Sequence, residues 1–296
     1  MEKNFFQGVV TALATPFKKK GDLDYKALEK SLKFQIDNKV DGILLASTTG
    51  ESPGLTLKEK MALIIRAVEY SSGKVPLYLA TGTNETHESM DLTAMAKDQG
   101  ASAALIVTPY YNKPTQDGLY EHYRIIAEAV DIPQIIYNVP GRTGVNMEPE
   151  TVLQLANNCK NIVGIKEASG DLEQIMAIVK NAPKGFNLLT GDDKITLSAM
   201  AVGAKGCVSV ISNYAPAEFV KLVRHAQNNK FNEAAKIHYK LLELMDLNFV
   251  ETNPIPVKYA LSLKGIMKDV YRMPLFPLTA RNKRKLKAEL KNQGMI

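Results

Sequence analysis

A lysine ends the apolar run Ile162-Val163-Gly164-Ile165-Lys166, and a tyrosine sits near the end of the run before it, Gln134-Ile135-Ile136-Tyr137-Asn138. An amine attacks carbonyl carbon once it has shed its proton, and withdrawal from water favours the neutral form. A phenol beside the resulting imine can serve as proton donor and transient base. Arg142 follows in Pro140-Gly141-Arg142-Thr143, and a guanidinium suits a two-pronged carboxylate contact. Thr48-Thr49-Gly50 adds two hydroxyls and backbone N–H groups that can hold a small carboxylate. Amine, phenol, hydroxyls and guanidinium together point to imine chemistry on keto acids.

Each residue also has a plainer reading. Lys166 could snorkel to solvent or pair with Glu167, Tyr137 could be a core tyrosine with a satisfied hydroxyl, and Arg142 could sit in a surface salt bridge. Thr48-Thr49-Gly50 could be an ordinary polar turn. Asp192-Asp193 would suit a metal-dependent aldolase, although a helix cap is the simpler use. The four His lie 35, 103 and 13 residues apart, which gives no local metal-ligand spacing, so neither metal nor cofactor is expected.

These residues must be held by a scaffold, and one pattern recurs along the first three-quarters of the chain. A short β-branched run ends in a polar or Gly-rich turn, and a helical stretch follows. The strand-like runs are Gly8–Ala14, Gly42–Ala46, Val75–Ala80, Ala103–Thr108, Gln134–Asn138, Ile162–Lys166, Phe186–Thr190 and Gly206–Val210. In the first helical stretch Tyr25, Leu28, Leu32 and Ile36 share a face. The second opens with the capping box Thr56-x-x-Glu59, and Pro149 and Pro216 suit first-turn positions. Strands alternating with helices need crossover connections and hence a parallel sheet. Eight such units in this length predict a (β/α)8 TIM barrel rather than a doubly wound sheet, whose G-x-G-x-x-G turn is missing after the first strand. In such a barrel the functional residues gather at the C-terminal ends of the strands. Strand alternation there would point Ile162, Gly164 and Lys166 together into the barrel mouth.

From about residue 230 no strand-like run remains. Helices are expected near Asn232–Phe249, Pro256–Leu263 and Thr279–Asn292, so the chain divides into a barrel over 1–229 and a small helical appendage over 230–296. The net charge of +6 belongs to the tail: from Lys258 onward there are ten basic and two acidic residues, and the body is slightly acidic. The tail's cations, Arg281, Lys283, Arg284, Lys285, Lys287 and Lys291, read as the solvated face of an amphipathic helix, without interleaved aromatics for nucleic acid. Cys159 and Cys207 form no C-x-x-C pair, no run approaches 18 apolar residues, and Met1–Gln7 leads into no signal-like stretch. A cytoplasmic enzyme that spans no membrane is expected.

At the chemistry-bearing residues the chain resembles the dihydrodipicolinate synthase branch of the N-acetylneuraminate lyase superfamily of class I aldolases. The matching segments are Ser47-Thr48-Thr49-Gly50-Glu51-Ser52, Thr108-Pro109-Tyr110-Tyr111-Asn112-Lys113-Pro114, Tyr137-Asn138-Val139-Pro140-Gly141-Arg142-Thr143-Gly144, Gly164-Ile165-Lys166-Glu167-Ala168, Gly191-Asp192-Asp193 and Asn253-Pro254-Ile255-Pro256-Val257-Lys258. They span essentially the whole chain.

The resemblance implies condensation of pyruvate with L-aspartate-4-semialdehyde to 4-hydroxy-tetrahydrodipicolinate, in lysine and diaminopimelate synthesis. It makes Lys166 the imine-forming amine and Tyr137, Thr48 and Tyr111 a proton-relaying triad. Thr49 would bind the pyruvate carboxylate, Arg142 would receive that of the aldehyde, and Gly191 and Val208 would line the site. Tyr111 would cross a subunit boundary, which implies a homodimer or dimer of dimers. The resemblance also implies an end-product lysine site at Ser52, Asn84, Glu88 and Tyr110, where Leu57 and Lys60 would oppose a polar cation. Ser47 stands where glycine is common, and its Cβ is expected to tighten the turn. A keto-acid lyase acting on a sugar acid and a catalytically silent, anion-binding barrel are the other readings of the same residues.

Overall fold

A computed structural model describes residues 5–296; Met1–Asn4, the start of the N-terminal stretch expected to carry no signal, lie outside the described residues. Eight strands are present: β1 (Gly8–Ala12), β2 (Gly42–Leu45), β3 (Leu77–Ala80), β4 (Ala103–Val107), β5 (Gln134–Asn138), β6 (Ile162–Glu167), β7 (Asn187–Thr190) and β8 (Gly206–Ser209). All pair in parallel and in sequence order, and β8 returns to β1 to close a barrel. This is the (β/α)8 architecture, and the doubly wound alternative falls because the sheet has no edges. Closure depends on Gly206, which faces Gly8 across the seam. A Cβ there would lie 1.9 Å from the Gly8 carbonyl oxygen, and φ is +149°, so only glycine fits.

The crossover helices are α1 (Tyr25–Asp37), α2 (Leu57–Ser71), α3 (Thr86–Asp98), α4 (Gln116–Ala129), the single turn α5 (Pro140–Thr143), α6 (Pro149–Asn158), α7 (Leu172–Asn181), α8 (Thr196–Ala201) and α9 (Pro216–Gln227). Local signals set their starts. Thr56 and Glu59 form the reciprocal capping box at α2, and Pro149 and Pro216 occupy first-turn positions of α6 and α9. Along the strands alternate residues face in and out. Val10, Leu44, Tyr78, Leu105, Ile135, Leu189 and Val208 fill the barrel, while Ile43, Ile106, Ile136 and Ile165 pack under the helices.

One sequence expectation fails in β6. Gln134 pairs with Ile162 but Ile135 pairs with Gly164, so Val163 is an extra residue in the ladder. The bulge turns Ile162 to the outer apolar layer and Val163 to the barrel interior. Gly164 and Lys166 keep the inward face, and Ile162 does not share it.

Three further helices, α10 (Phe231–Leu247), α11 (Ile255–Leu263) and α12 (Ala280–Asn292), follow the barrel. Leu241, Leu244, Val257, Leu261, Leu286 and Leu290 join one apolar cluster with Val9, Ile43 and Leu63, so these helices share a core with the β1–β3 side of the barrel. In α12 only Leu286 and Leu290 are buried. Lys283 pairs with Asp269 at 2.7 Å, and the remaining cations of this helix are exposed.

Candidate active site

Strand order makes β5 and β6 neighbours, and their register sets Tyr137 directly beside Lys166. Lys166 is 5% exposed and Tyr137 6%. The Lys166 Nζ lies 3.9 Å from the centre of the Tyr137 ring, an electrostatic contact with the ring face. Neither plain reading of Lys166 fits. It does not reach solvent, and Glu167 points to the opposite face of β6, where its carboxylate accepts hydrogen bonds from Asn138 Nδ2 (3.0 Å), Gln174 Nε2 (2.9 Å) and the Ser169 N–H (2.7 Å).

Gly191, just beyond β7, makes room for the lysine stem. A Cβ at this position would lie 2.9 Å from Lys166 Cε and 2.7 Å from Ala168 Cβ, closer than carbon atoms pack. Val208 is buried on the barrel interior beneath the same mouth.

The turn after β2 is held by its own backbone and from outside. Ala46 and Glu51 have left-handed φ of 50° and 56°. The Glu51 N–H donates to the Thr48 carbonyl (3.1 Å), the Ser52 N–H donates to that of Ser47 (3.2 Å), and Thr15 Oγ1 donates to that of Gly50 (2.7 Å). Thr49 Oγ1 accepts from Asn253 Nδ2 at 2.9 Å, and the Glu51 carboxylate meets the Lys258 ammonium. Both contacts come from the Asn253–Lys258 segment, and local sequence gives no sign of either. The N–H groups of Thr48 and Thr49 donate no hydrogen bond among the described residues, so two backbone donors stay available for an anion. The Ser47 Oγ is buried without a hydrogen-bond partner among the described residues.

Arg142 sits in the one-turn helix α5 and is exposed, with no side-chain acceptor among the described residues, so the surface salt-bridge reading fails. Thr48, Tyr137 and Arg142 line one cavity of about 280 Å³ at the barrel mouth, together with Ser52, Lys60 and Tyr110. Lys166, Thr49, Gly191 and Val208 are not on its walls; Lys166 touches the cavity through the Tyr137 ring. Tyr111 stands apart, 89% exposed with φ +72°. A large apolar ring held outward by strained backbone is costly in water unless something covers it.

Asp192 and Asp193 do not cap α8, which starts without a side-chain cap. Asp192 accepts from the Lys194 N–H at 2.9 Å, and buried Asp193 accepts from the N–H groups of Val210 and Ile211 at 3.1 and 2.8 Å. Burial pushes the Asp193 carboxyl up to about 6 despite these donors. It fastens the turn after β8, and the pair forms no metal cluster among the described residues.

A closed parallel barrel with a desolvated lysine against a phenol at its C-terminal mouth has the layout of the Schiff-base aldolases. The profile of the Dihydrodipicolinate synthetase family matches residues 5–293, and the chain belongs to that family. It is 47% identical over 290 residues to the 4-hydroxy-tetrahydrodipicolinate synthase of Aquifex aeolicus (strain VF5), covering 98% of each chain. It is 45% identical over 296 residues to that of Chlorobium phaeobacteroides (strain BS1), covering all of both. Among solved structures, dihydrodipicolinate synthase from Aquifex aeolicus superposes with a TM-score of 0.96 at 46% identity, over 98% of this chain and 99% of that one. The chloride-inhibited enzyme from Acinetobacter baumannii, complexed with pyruvate, gives 0.96 at 41% identity with the same coverage.

Proposed function

We propose that this chain is a lyase that condenses pyruvate with L-aspartate-4-semialdehyde to 4-hydroxy-tetrahydrodipicolinate, in lysine and diaminopimelate synthesis. The observation that carries the reading is the desolvated Lys166 amine held against Tyr137 by strand register. The amine adds to the pyruvate carbonyl and water leaves, giving an imine. Loss of a methyl proton gives an enamine, whose carbon attacks the aldehyde. The amino group of that substrate then adds to the imine carbon and displaces the Lys166 amine, which closes the ring and frees the enzyme. Tyr137 and Thr48 carry protons to and from these centres. The pyruvate carboxylate lies on the free N–H groups of the Thr48–Thr49 turn, with the Thr49 side chain fixed by Asn253. Arg142, without a side-chain acceptor among the described residues, receives the carboxylate of the aldehyde. Gly191 and Val208 shape the floor.

Tyr111 completes the hydroxyl triad in a second copy of the chain, so the active unit is a homodimer or a dimer of dimers. Its strained, exposed placement supports this reading. The barrel over 1–229 carries the site, and the helices of 230–296 brace it. No helix among the described residues is long and apolar enough to cross a membrane. Two buried thiols without a disulfide suit a reducing compartment, in keeping with a cytoplasmic enzyme.

Pyruvate followed by borohydride should inactivate the protein and leave a reduced pyruvyl adduct on Lys166. An adduct elsewhere, or none, would overturn the imine mechanism. A requirement for a sugar acid in place of aspartate semialdehyde would move the chain to the lyase reading.

A further inference from the structure

Behind the Tyr137–Lys166 pair, on the outer face of the barrel wall, the next residues of the two strands also stand opposite each other: Asn138 and Glu167. Both are buried. The Glu167 carboxylate forms no ion pair among the described residues. A buried carboxylate without a cation is costly, and no step of the condensation consumes it.

The amides around it are oriented so that only an acceptor fits. The Met147 N–H donates to Asn138 Oδ1 at 3.0 Å, which leaves Asn138 Nδ2 to donate to Glu167 and, at 2.7 Å, to Asn146 Oδ1. Asn146 Nδ2 donates to Gln174 Oε1 at 2.9 Å, which leaves Gln174 Nε2 to donate to Glu167. With the Ser169 N–H, three donors converge on Glu167. A carboxylate meets that demand and an amide does not. Glu167 thereby joins the end of β5, the turn after β6, the helix α7 and, through Asn146 and Met147, the loop that follows α5.

Register gives this network its consequence. Beyond the Val163 bulge only four residue pairs, from Ile135–Gly164 to Asn138–Glu167, remain before the strands end. A one-residue slip in so short a run would turn Lys166 out of the barrel mouth. The Asn138–Glu167 contact closes that run at its open end.

We propose that Glu167 is a positioning residue, which locks the register that sets Lys166 beside Tyr137 through its bonds to Asn138, Gln174 and the Ser169 N–H. This rests on the reading that Lys166 carries the imine. Glu167 acts from behind the wall, through the placement of the amine.

The test is the rate of imine formation, read by quenching pyruvate mixtures with borohydride at timed intervals and expressed per folded molecule. Misplacing a reacting group by about 1 Å can cost about a hundredfold. In Glu167→Gln, which sets an N–H among converging donors, the maximal rate should fall by about tenfold or more. In Gln174→Ala, which removes one donor from α7, it should fall by about threefold or more. The pyruvate concentration giving half the maximal rate should stay within about threefold in both, because the Thr48–Thr49 turn lies outside the network. A merely structural role would lower the thermal midpoint and leave the rate per folded molecule unchanged, and that result would overturn the proposal. So would a loss confined to half-saturation. If Glu167→Gln does not fold, Gln174→Ala decides by the same criteria. Mapping the adduct of the unmodified enzyme to Lys166 reports separately on the imine reading.

Discussion

The Lys258 ammonium of α11 meets the Glu51 carboxylate with both side chains out of water, and so joins the C-terminal helices to the turn that carries Thr48 and Thr49. Lys258 also lies 4.3 Å from the centre of the Phe17 ring. Burial pushes the ammonium below the usual lysine range, against the pull of Glu51. A buried charge that loses its partner costs about 3–5 kcal/mol, whereas loss of both charges costs much less. Lys258→Met should therefore lower the denaturation midpoint sharply, and Lys258→Met with Glu51→Gln should recover part of it. A double variant no more stable than the single one would mean that packing around Lys258, and not its charge, holds the turn.

Gly191→Ala should impair imine formation. The added Cβ would stand 2.9 Å from Lys166 Cε, so the lysine stem must move off its rotamer, at a cost of about 1–3 kcal/mol. The rate of borohydride trapping should fall by about tenfold or more, and the strain should also lower the thermal midpoint by a few degrees. Unchanged trapping would show that the stem has another way round.

Arg142→Ala should affect the aldehyde far more than pyruvate. A charge-assisted contact to a carboxylate is worth about 1.5–3 kcal/mol, or roughly ten- to a hundredfold in apparent affinity. Steady-state kinetics with each substrate varied in turn would check this. Equal losses in pyruvate trapping and in use of the aldehyde would assign Arg142 a different role.

Mixing inactive Tyr111→Phe with inactive Lys166→Ala subunits should restore part of the activity. If Tyr111 serves the partner's site, a mixed dimer contains one site with both native residues. Subunit exchange proven by mass, with no activity regained, would return Tyr111 to its own barrel.

Lysine should inhibit weakly. Lys60 places an unpaired ammonium beside Ser52 and Tyr110, and Leu57, 56% exposed, offers no hydrogen bond. Like charges at contact cost about 1 kcal/mol even in water, and more when desolvated. Half-inhibition at sub-millimolar lysine would mean that Ser52, Asn84, Glu88 and Tyr110 suffice on their own.

The sequence by itself determined the barrel and the strands that carry the central pair. Eight β-branched runs each followed by a helical period leave few options but a parallel sheet, and sequential parallel strands are neighbours, so Tyr137 and Lys166 fall on adjacent strand ends. The register that sets them side by side, beyond the Val163 bulge, belongs to the tertiary structure. Ser47–Glu51 and Arg142 were placed by the same logic, as strand-end loops of a barrel. Tertiary structure decided the rest, because periodicity reports a residue's local face and not its distant partner. Val163 bulges where alternation gives no warning, and this moves Ile162 out of the interior. Asp193 reads as a helix cap until the turn after β8 comes alongside and offers it two N–H groups. Asn253 and Lys258 reach Thr49 and Glu51 from 204 and 207 residues away, and only the packing of α11 against the barrel joins them. Lys60, a charged residue at the start of an amphipathic helix, is an ordinary surface lysine by pattern. Only the closed barrel turns it onto the wall of the cavity and withdraws its charge from water.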